Sequence, residues 1–227
     1  MKMQASCVPT TNMSRYRHVI FDLDGTLIDS APAILSSFRQ AFATTGIQPA
    51  MAIDASVIGP PLIETLQMLS PSTDRATIQR LASAFKASYD STGLLETRDY
   101  DGVTVMLKAL AASGRHLHIA TNKRIHPTRL ILEHLGWSGL FDNVYALDLF
   151  EPRLRDKAEM IARLLTDRQI PVEEAVYIGD REEDGSSAEC NALPFIAATW
   201  GYGALTEEEL RSNWRMAASP GLLATLL

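Results

Sequence analysis

The stretch RHVIFDLDGTLIDS, from Arg17 to Ser30, sets two carboxylates, Asp22 and Asp24, at the end of an apolar run. HVIF is short, β-branched and aromatic, the composition of a strand buried on both faces, and Gly25-Thr26 ends it in a turn. Side chains two apart leave an extended segment on the same side, so both acids face one pocket if the strand geometry persists that far. In a parallel α/β sheet, ligands bind at that edge. The plainer alternative is that Asp-Gly is a turn signal and the carboxylates cap loop amides.

Other strand ends add to this pair. HLHIAT ends at Thr121 and Asn122, AVYIGD ends at Asp180 with Asp184 following, and a third stretch runs down to a loop before Lys157. If the strands are parallel, all these positions share one edge. Four carboxylates in one pocket repel, by about 4 kcal/mol for a single pair 4 Å apart at an effective dielectric near 20, more than one lysine offsets. A hard divalent cation relieves the repulsion, and an all-oxygen set with room for water and a phosphate oxygen suits Mg²⁺ better than zinc. Asp184 or Glu183 equally suits the start of the next helix, set against its dipole.

Lys157 is awkward locally. In RDKAEMIARLL, Asp156 can cap a helix with Glu159 three residues on, which leaves Lys157 in the first turn, where a cation opposes the macrodipole. A bound anion reverses that cost, since lysine and helix N-terminus then both face negative charge. The alternative is an exposed lysine costing a few tenths of a kcal/mol.

The elements that must position these residues alternate in kind from Tyr100 onward. A helix near Gly102 to Ser113 leads to the strand HLHIAT, a helix from about Pro127 to Leu135, and a strand around Asn143 to Leu147. A helix near Lys157 to Arg168 then precedes AVYIGD, a short helix around Ser186 to Asn191, the strand PFIAAT and two possible terminal helices. Such a βα repeat with right-handed crossovers predicts an α/β fold, a parallel sheet covered on both faces. Between Ser30 and about Arg98, SAPAILSSFRQAFATTG, PPLIETLQMLS and TDRATIQRLASAFKASYDSTG all read as helices. The expected organisation is a flexible leader over 1–17, a core from 18–29 and 99–227, and a helical insert over 30–98, placed to act as a lid.

Composition narrows the function classes. A chain of 227 residues can bury a substantial core, and its two cysteines, Cys7 and Cys190, match no metal or redox spacing, in keeping with a reducing compartment. The five histidines form no cluster in the sequence, and His116 and His118, alternating in an apolar segment, read as packed strand residues. A net charge of -6 with no basic stripe argues against nucleic acid as a partner. No apolar run is long enough to span a membrane, and the leader lacks a signal peptide's apolar core, so a cytoplasmic protein is expected, with Met13 an alternative start.

Taken in order, FDLDGTLIDS, the strand-end TNK at 121–123, Lys157, GDREED at 179–184 and the tail segment WGYG at 200–203 resemble the haloacid dehalogenase superfamily. The chain is similar to the phosphoglycolate phosphatase-like enzymes of its large phosphatase branch, from His18 to about Thr206. The resemblance implies a Rossmann-like core with an inserted helical cap, acting on a small phosphorylated substrate as monomer or homodimer. It implies that Asp22 is the nucleophile and becomes an aspartyl-phosphate, while Asp24 protonates the leaving alcohol and then deprotonates water. Mg²⁺ would be held by the Asp22 carboxylate, the Asp24 backbone carbonyl and Asp180, with Asp184 in support. Thr121, the Asn122 amide and Lys157 would hold the phosphoryl oxygens. Halide expulsion needs no acid, so Asp24 points to phosphoryl transfer.

Three positions depart from the family pattern. Ala158 follows Lys157 where proline is common, Gly185 follows Asp184 where an apolar residue is usual, and Glu183 competes with Asp184 for the supporting role. Lys123 resembles a subgroup with nucleotidase-like members, as a second phosphate-site lysine or a solvent-exposed one. A phosphomutase on the same core and a catalytically silent binding module stand as alternatives to the phosphatase. Phosphoglycolate, nucleoside monophosphates and sugar phosphates stay open as substrates.

Overall fold

The structure is a computed structural model that describes residues 16–203, 205–206 and 211–227. Strand β1 (His18–Phe21) is followed by a two-residue strand, β2 (Ile28–Asp29). The helices α1 (Ala31–Thr45), α2 (Leu62–Leu69) and α3 (Arg75–Tyr89) come next, and β3 (Arg98–Asp99) closes the segment by pairing antiparallel with β2. The helical stretch therefore leaves and returns through one narrow ladder, a few residues beyond Asp24.

Its helices follow from local chemistry and from each other. α1 starts with proline in its first turn and stops at Gly46, whose φ of 70° is the left-handed cap that glycine adopts at least cost. Asp74 caps α3 by accepting from the Thr77 amide at 2.9 Å. The apolar face of α1 (Ile34, Phe38, Ala41, Phe42) is buried in one core with Ile78, Leu81, Ala82 and Phe85 of α3, and the Phe38 and Phe85 rings meet at 4.5 Å. Burying each phenylalanine is worth about 1.5–3 kcal/mol, which a pair of isolated helices would lack.

The rest alternates: α4 (Val103–Ala112), β4 (His116–Thr121), α5 (Ile125–His134), β5 (Asn143–Ala146), α6 (Lys157–Arg168) and β6 (Ala175–Gly179). Then come α7 (Glu182–Cys190), β7 (Phe195–Ala198), β8 (Arg215–Ala217) and α8 (Pro220–Leu226). Six strands form one sheet in the order β5-β4-β1-β6-β7-β8 with every pairing parallel, so β1 lies at the centre with β4 and β6 beside it. The fold is the expected α/β architecture with a Rossmann-like core. Among the described residues, no helix is long and apolar enough to cross a membrane.

Several boundaries differ from the sequence reading. α7 begins at Glu182 and not near Ser186, because three acids open the helix against its dipole and Asp184 reaches back to accept from the Arg181 main-chain amide at 3.0 Å. Gly185 fits inside it because the Trp214 ring occupies the space a side chain would take. Of the two expected terminal helices α8 is present among the described residues, and Arg215–Ala217 adds a strand beside β7 that the sequence reading did not name; residues 204 and 207–210 lie outside the described residues. α5 starts two residues early, with Pro127 inside its first turn. Most of the leader lies outside the described residues; Tyr16 is buried, and the Arg17 amide donates to the Glu174 carbonyl at 2.9 Å.

The histidines also depart from expectation. Parallel register sets His18 opposite His116, and the rings of His18, His116 and His118 stack, with centroids 4.9 and 5.4 Å apart. Residues a hundred positions apart in the chain thus form a cluster at the start of β1 and β4. No metal-sized group of ligand atoms is found there among the described residues.

Candidate active site

The end of β1 carries the first acid into the site. The Asp22 amide donates to the Ile178 carbonyl at 2.9 Å, which extends the ladder one residue and aims the carboxylate at the sheet edge. Asp180 follows β6, and Asp184 is the third residue of α7; one oxygen from each of the three acids falls within 4.8 Å of the others. All three are buried. The sheet edge does bring Asp22, Asp180 and Asp184 together.

Asp24 stands apart from that triad. Lys123 Nζ donates to both of its oxygens, at 3.0 and 3.1 Å, and the Ser30 hydroxyl donates to one of them. Ser30 in turn is held by Tyr202, whose hydroxyl accepts from the Ser30 amide at 3.2 Å. The Asp24 carboxylate is therefore fixed in its own network and does not face the other acids as a bare charge.

Glycines let the pieces close on Asp180. Gly25, at φ 86°, would drive a side chain to within 2.3 Å of an Asp180 oxygen, so the DGT turn tolerates nothing larger. Gly203 approaches from the other side and its amide donates to Asp180 Oδ2 at 2.8 Å. The Trp200 indole donates to the Thr26 carbonyl at 2.9 Å. The tail WGYG is a buttress for the turn and its acids.

Lys157 is not an exposed first-turn lysine. It is buried, its ammonium donates to Asp184, and it lies 3.2 Å from Asp22 Oδ1. The second contact lacks hydrogen-bond alignment, so Asp22 Oδ1 remains a buried oxygen with no hydrogen-bond partner among the described residues. The dipole cost expected for Lys157 is met within the protein by two carboxylates. Burial alone would push the ammonium down, but Asp184 and Asp22 outweigh it and hold the pKa well above its ordinary value.

One lysine does not neutralise three buried acids. Burial, with Asp184, Asp180 and Asp24 adding to it against the pull of Lys157, pushes Asp22 up to about 8. Burial and Asp184 push Asp180 up to about 7. Acids that hold protons near neutrality for want of countercharge, and an orphaned carboxylate oxygen among them, fit a hard divalent cation bound by oxygen.

The neighbours of the triad divide the remaining roles. Thr121, at the end of β4, is buried, and its oxygen accepts from the Lys123 amide at 3.3 Å, which leaves the hydroxyl proton to donate. The Asn122 side-chain nitrogen donates to the Gly59 carbonyl and to Glu183, each at 3.1 Å, while its oxygen is buried without a partner. Glu183 is thereby turned toward Asn122, and Asp184 is the acid that joins Asp22 and Asp180.

Sequence reasoning gave solvent exposure as the commoner fate of Lys123, and the structure corrects it. The lysine is buried against the Asp24 carboxylate with its Nζ 4.7 Å from the Tyr89 ring centre, an arrangement made by α3. Ser30 and Tyr202 were within quoted motifs but carried no role. The helical segment also meets the core through Arg124, whose guanidinium donates to both Asp90 oxygens, and through Arg153, bonded to Glu64 at 2.8 Å.

Comparison with known proteins agrees with this geometry. A family model described as haloacid dehalogenase-like hydrolase matches residues 19–198. A 5'-nucleotidase of Pseudomonas aeruginosa is 34% identical over 200 residues, 88% of this chain and 89% of its own length. A phosphoglycolate phosphatase of Xylella fastidiosa (strain 9a5c) is 35% identical over 218 residues, 92% of this chain and 91% of its own. The crystal structure of a predicted phosphatase from Clostridium acetobutylicum superposes with a TM-score of 0.81 at 31% identity, covering 93% of this chain and 98% of that one.

Proposed function

The chain belongs to the haloacid dehalogenase-like hydrolases, and from that premise we propose that it is a Mg²⁺-dependent phosphatase that cleaves a small phosphate monoester through an aspartyl-phosphate on Asp22. The observation that carries the reading is the division of the acids: Asp22, Asp180 and Asp184 converge beside Lys157, while Asp24 is held separately by Lys123 and Ser30. The likeness to proteins named phosphoglycolate phosphatase and 5'-nucleotidase supports the same class.

The residues take distinct parts. Asp22, Asp180 and Asp184 would hold Mg²⁺ with the Asp24 main-chain carbonyl, and the bound ion supplies positive charge to the phosphoryl oxygens and to the nucleophile. Lys157 adds a second countercharge, without which a phosphate dianion repels a carboxylate. Thr121 and the Asn122 main-chain amide complete the phosphoryl cradle. Asp22 attacks phosphorus as the bond to the alcohol oxygen breaks, and Asp24 gives that oxygen its proton. Asp24, now anionic, takes a proton from water; the hydroxyl oxygen attacks phosphorus, and Asp22 leaves as carboxylate with inorganic phosphate released. The helical segment over residues 30–98 acts as a cap that keeps bulk water out during the first attack.

A panel of phosphate esters assayed with Mg²⁺ and with EDTA tests the reading. Turnover in Mg²⁺ that EDTA removes is expected, and indifference to EDTA would refute the metal's part.

A further inference from the structure

We infer that the alcohol released by this enzyme carries an uncharged apolar or aromatic group. The inference rests on the phosphatase reading and narrows its substrate. Beside Asp24 lies a cleft of about 70 Å³, walled on the cap side by Ile34, Phe38, Val57, Ile58, Phe85 and Tyr89. Asp24 is on its wall, whereas Asp22, Asp180 and Asp184 are not. Asp24 is the acid that meets the departing oxygen, so the cleft receives the alcohol and the triad receives the phosphate.

A second anionic group in that cleft would need a cation to replace its lost water. Two cationic residues face it from the core, and both are committed. Lys123 spends two donors on the two oxygens of Asp24, and Arg124 is paired to both oxygens of Asp90. Both pairs are largely shielded from solvent, so diverting either would strand a partner carboxylate. The side-chain donors of Thr65 and Asn122 are spent as well. Thr65 gives its hydroxyl to the carbonyls of Pro60 and Pro61, at 3.2 Å each, and Asn122 gives its side-chain nitrogen to Gly59 and Glu183. The Tyr89 hydroxyl is buried without a hydrogen-bond partner, but a neutral donor does not replace a cation. What the cleft offers is dispersion and aromatic faces, the usual means of holding an apolar ligand.

The test compares kcat/KM for benzyl phosphate and 2-phosphoglycolate on the full chain with Mg²⁺. Both are primary alkyl esters, so the comparison reports the cleft and not the leaving oxygen. Benzyl phosphate is expected to be preferred by at least tenfold; a smaller ratio, or preference for 2-phosphoglycolate, overturns the inference while leaving the phosphatase reading intact. Absence of turnover with both esters and with p-nitrophenyl phosphate would instead bring down the phosphatase reading, and this inference with it. Asp90→Asn, which loosens Arg124 from its partner, should raise kcat/KM for 2-phosphoglycolate at least threefold relative to benzyl phosphate. An unchanged ratio overturns the argument from committed cations.

Discussion

β1 and β4 run side by side from His18 and His116 at one end of the sheet to Asp22 and Thr121 at the other, and each end gathers ionisable groups, histidines at one and acids at the other. At the histidine end, like groups are accommodated by giving up charge. His118 Nδ1 faces the Asn143 side-chain nitrogen at 3.0 Å and its Nε2 faces His18 Nδ1 at 3.1 Å. If Asn143 donates, His118 carries its proton on Nε2 and donates to His18, so a neutral pair satisfies every contact. Burial, with His18 next, pushes His118 down to about 4. At the acid end, the proposed mechanism needs Asp22 as an anion, and countercharge is brought in through Lys157 and a site fit for a cation. The contrast separates a cluster that is satisfied as it stands from one that, on the proposed function, a cation completes.

The largest effect should come from removing the group on which the acid end depends. Asp22→Asn keeps the volume and loses the nucleophile, so kcat for p-nitrophenyl phosphate should fall at least about 10³-fold, with the circular dichroism spectrum unchanged. Near wild-type turnover would leave the acid end as structural as the histidine end.

Lys157→Met tests the countercharge itself. Breaking a buried pair by removing one partner costs about 3–5 kcal/mol, and here two carboxylates lose theirs. Melting in EDTA should show that loss. Mg²⁺ binds the native state alone, and a more negative site binds it more tightly, so the Mg²⁺-dependent rise in Tm should be larger in the variant than in the parent chain. An equal rise would mean that lysine and metal do not answer the same charge.

The two ends also differ in how far the sequence revealed them. Asp22 and Asp180 could be brought together on paper because each follows an apolar run, and a parallel sheet aligns the ends of such runs, whereas Asp184, four residues past Asp180, shared its claim with Glu183. The histidine stack was hidden because it depends on register: one residue of slip between β1 and β4 would separate the rings, and composition does not state register. Lys123 was hidden for a related reason. Its burial is made by Tyr89, on a helix that reaches it only through packing of the inserted segment. β8 was missed because a strand of three residues beside a terminal helix carries too little pattern to be distinguished.

The pH response should also separate the ends. In the unfolded chain an imidazole titrates near 6.5, and in the fold His118 does so at about 4. Between those values the unfolded state binds a proton that the native state refuses. The contribution of His118 is therefore fully present above about pH 6.5 and is lost as pH falls toward 4, amounting to roughly 3 kcal/mol across the window. His18, lowered chiefly by burial and then by His116, acts in the same direction; Asp142, which favours the charged forms, opposes it. Urea unfolding of the parent and of His118→Asn between pH 7 and 4.5 should show a shallower decline in the variant. Parallel curves would mean that acid loss arises elsewhere.

The smallest effect is expected two residues earlier on the same strand. His116 contacts Asp142 at 2.6 Å, the shorter contact of the two histidines on β4, yet both partners are about half exposed. Water already solvates the two groups, and exposed ion pairs typically contribute about 0–1 kcal/mol because side-chain ordering offsets the attraction. For a chain of this size that corresponds to a Tm change within about 4 °C. His116→Gln, melted at pH 7, should stay in that range and should leave the acid slope of the parent almost intact, because His118 keeps its burial and its bond to His18. A loss as large as that of His118→Asn would show the three rings acting as one unit. Burial would then not be what distinguishes them, and the histidine end would need its own account of cooperative charge, as the acid end already does.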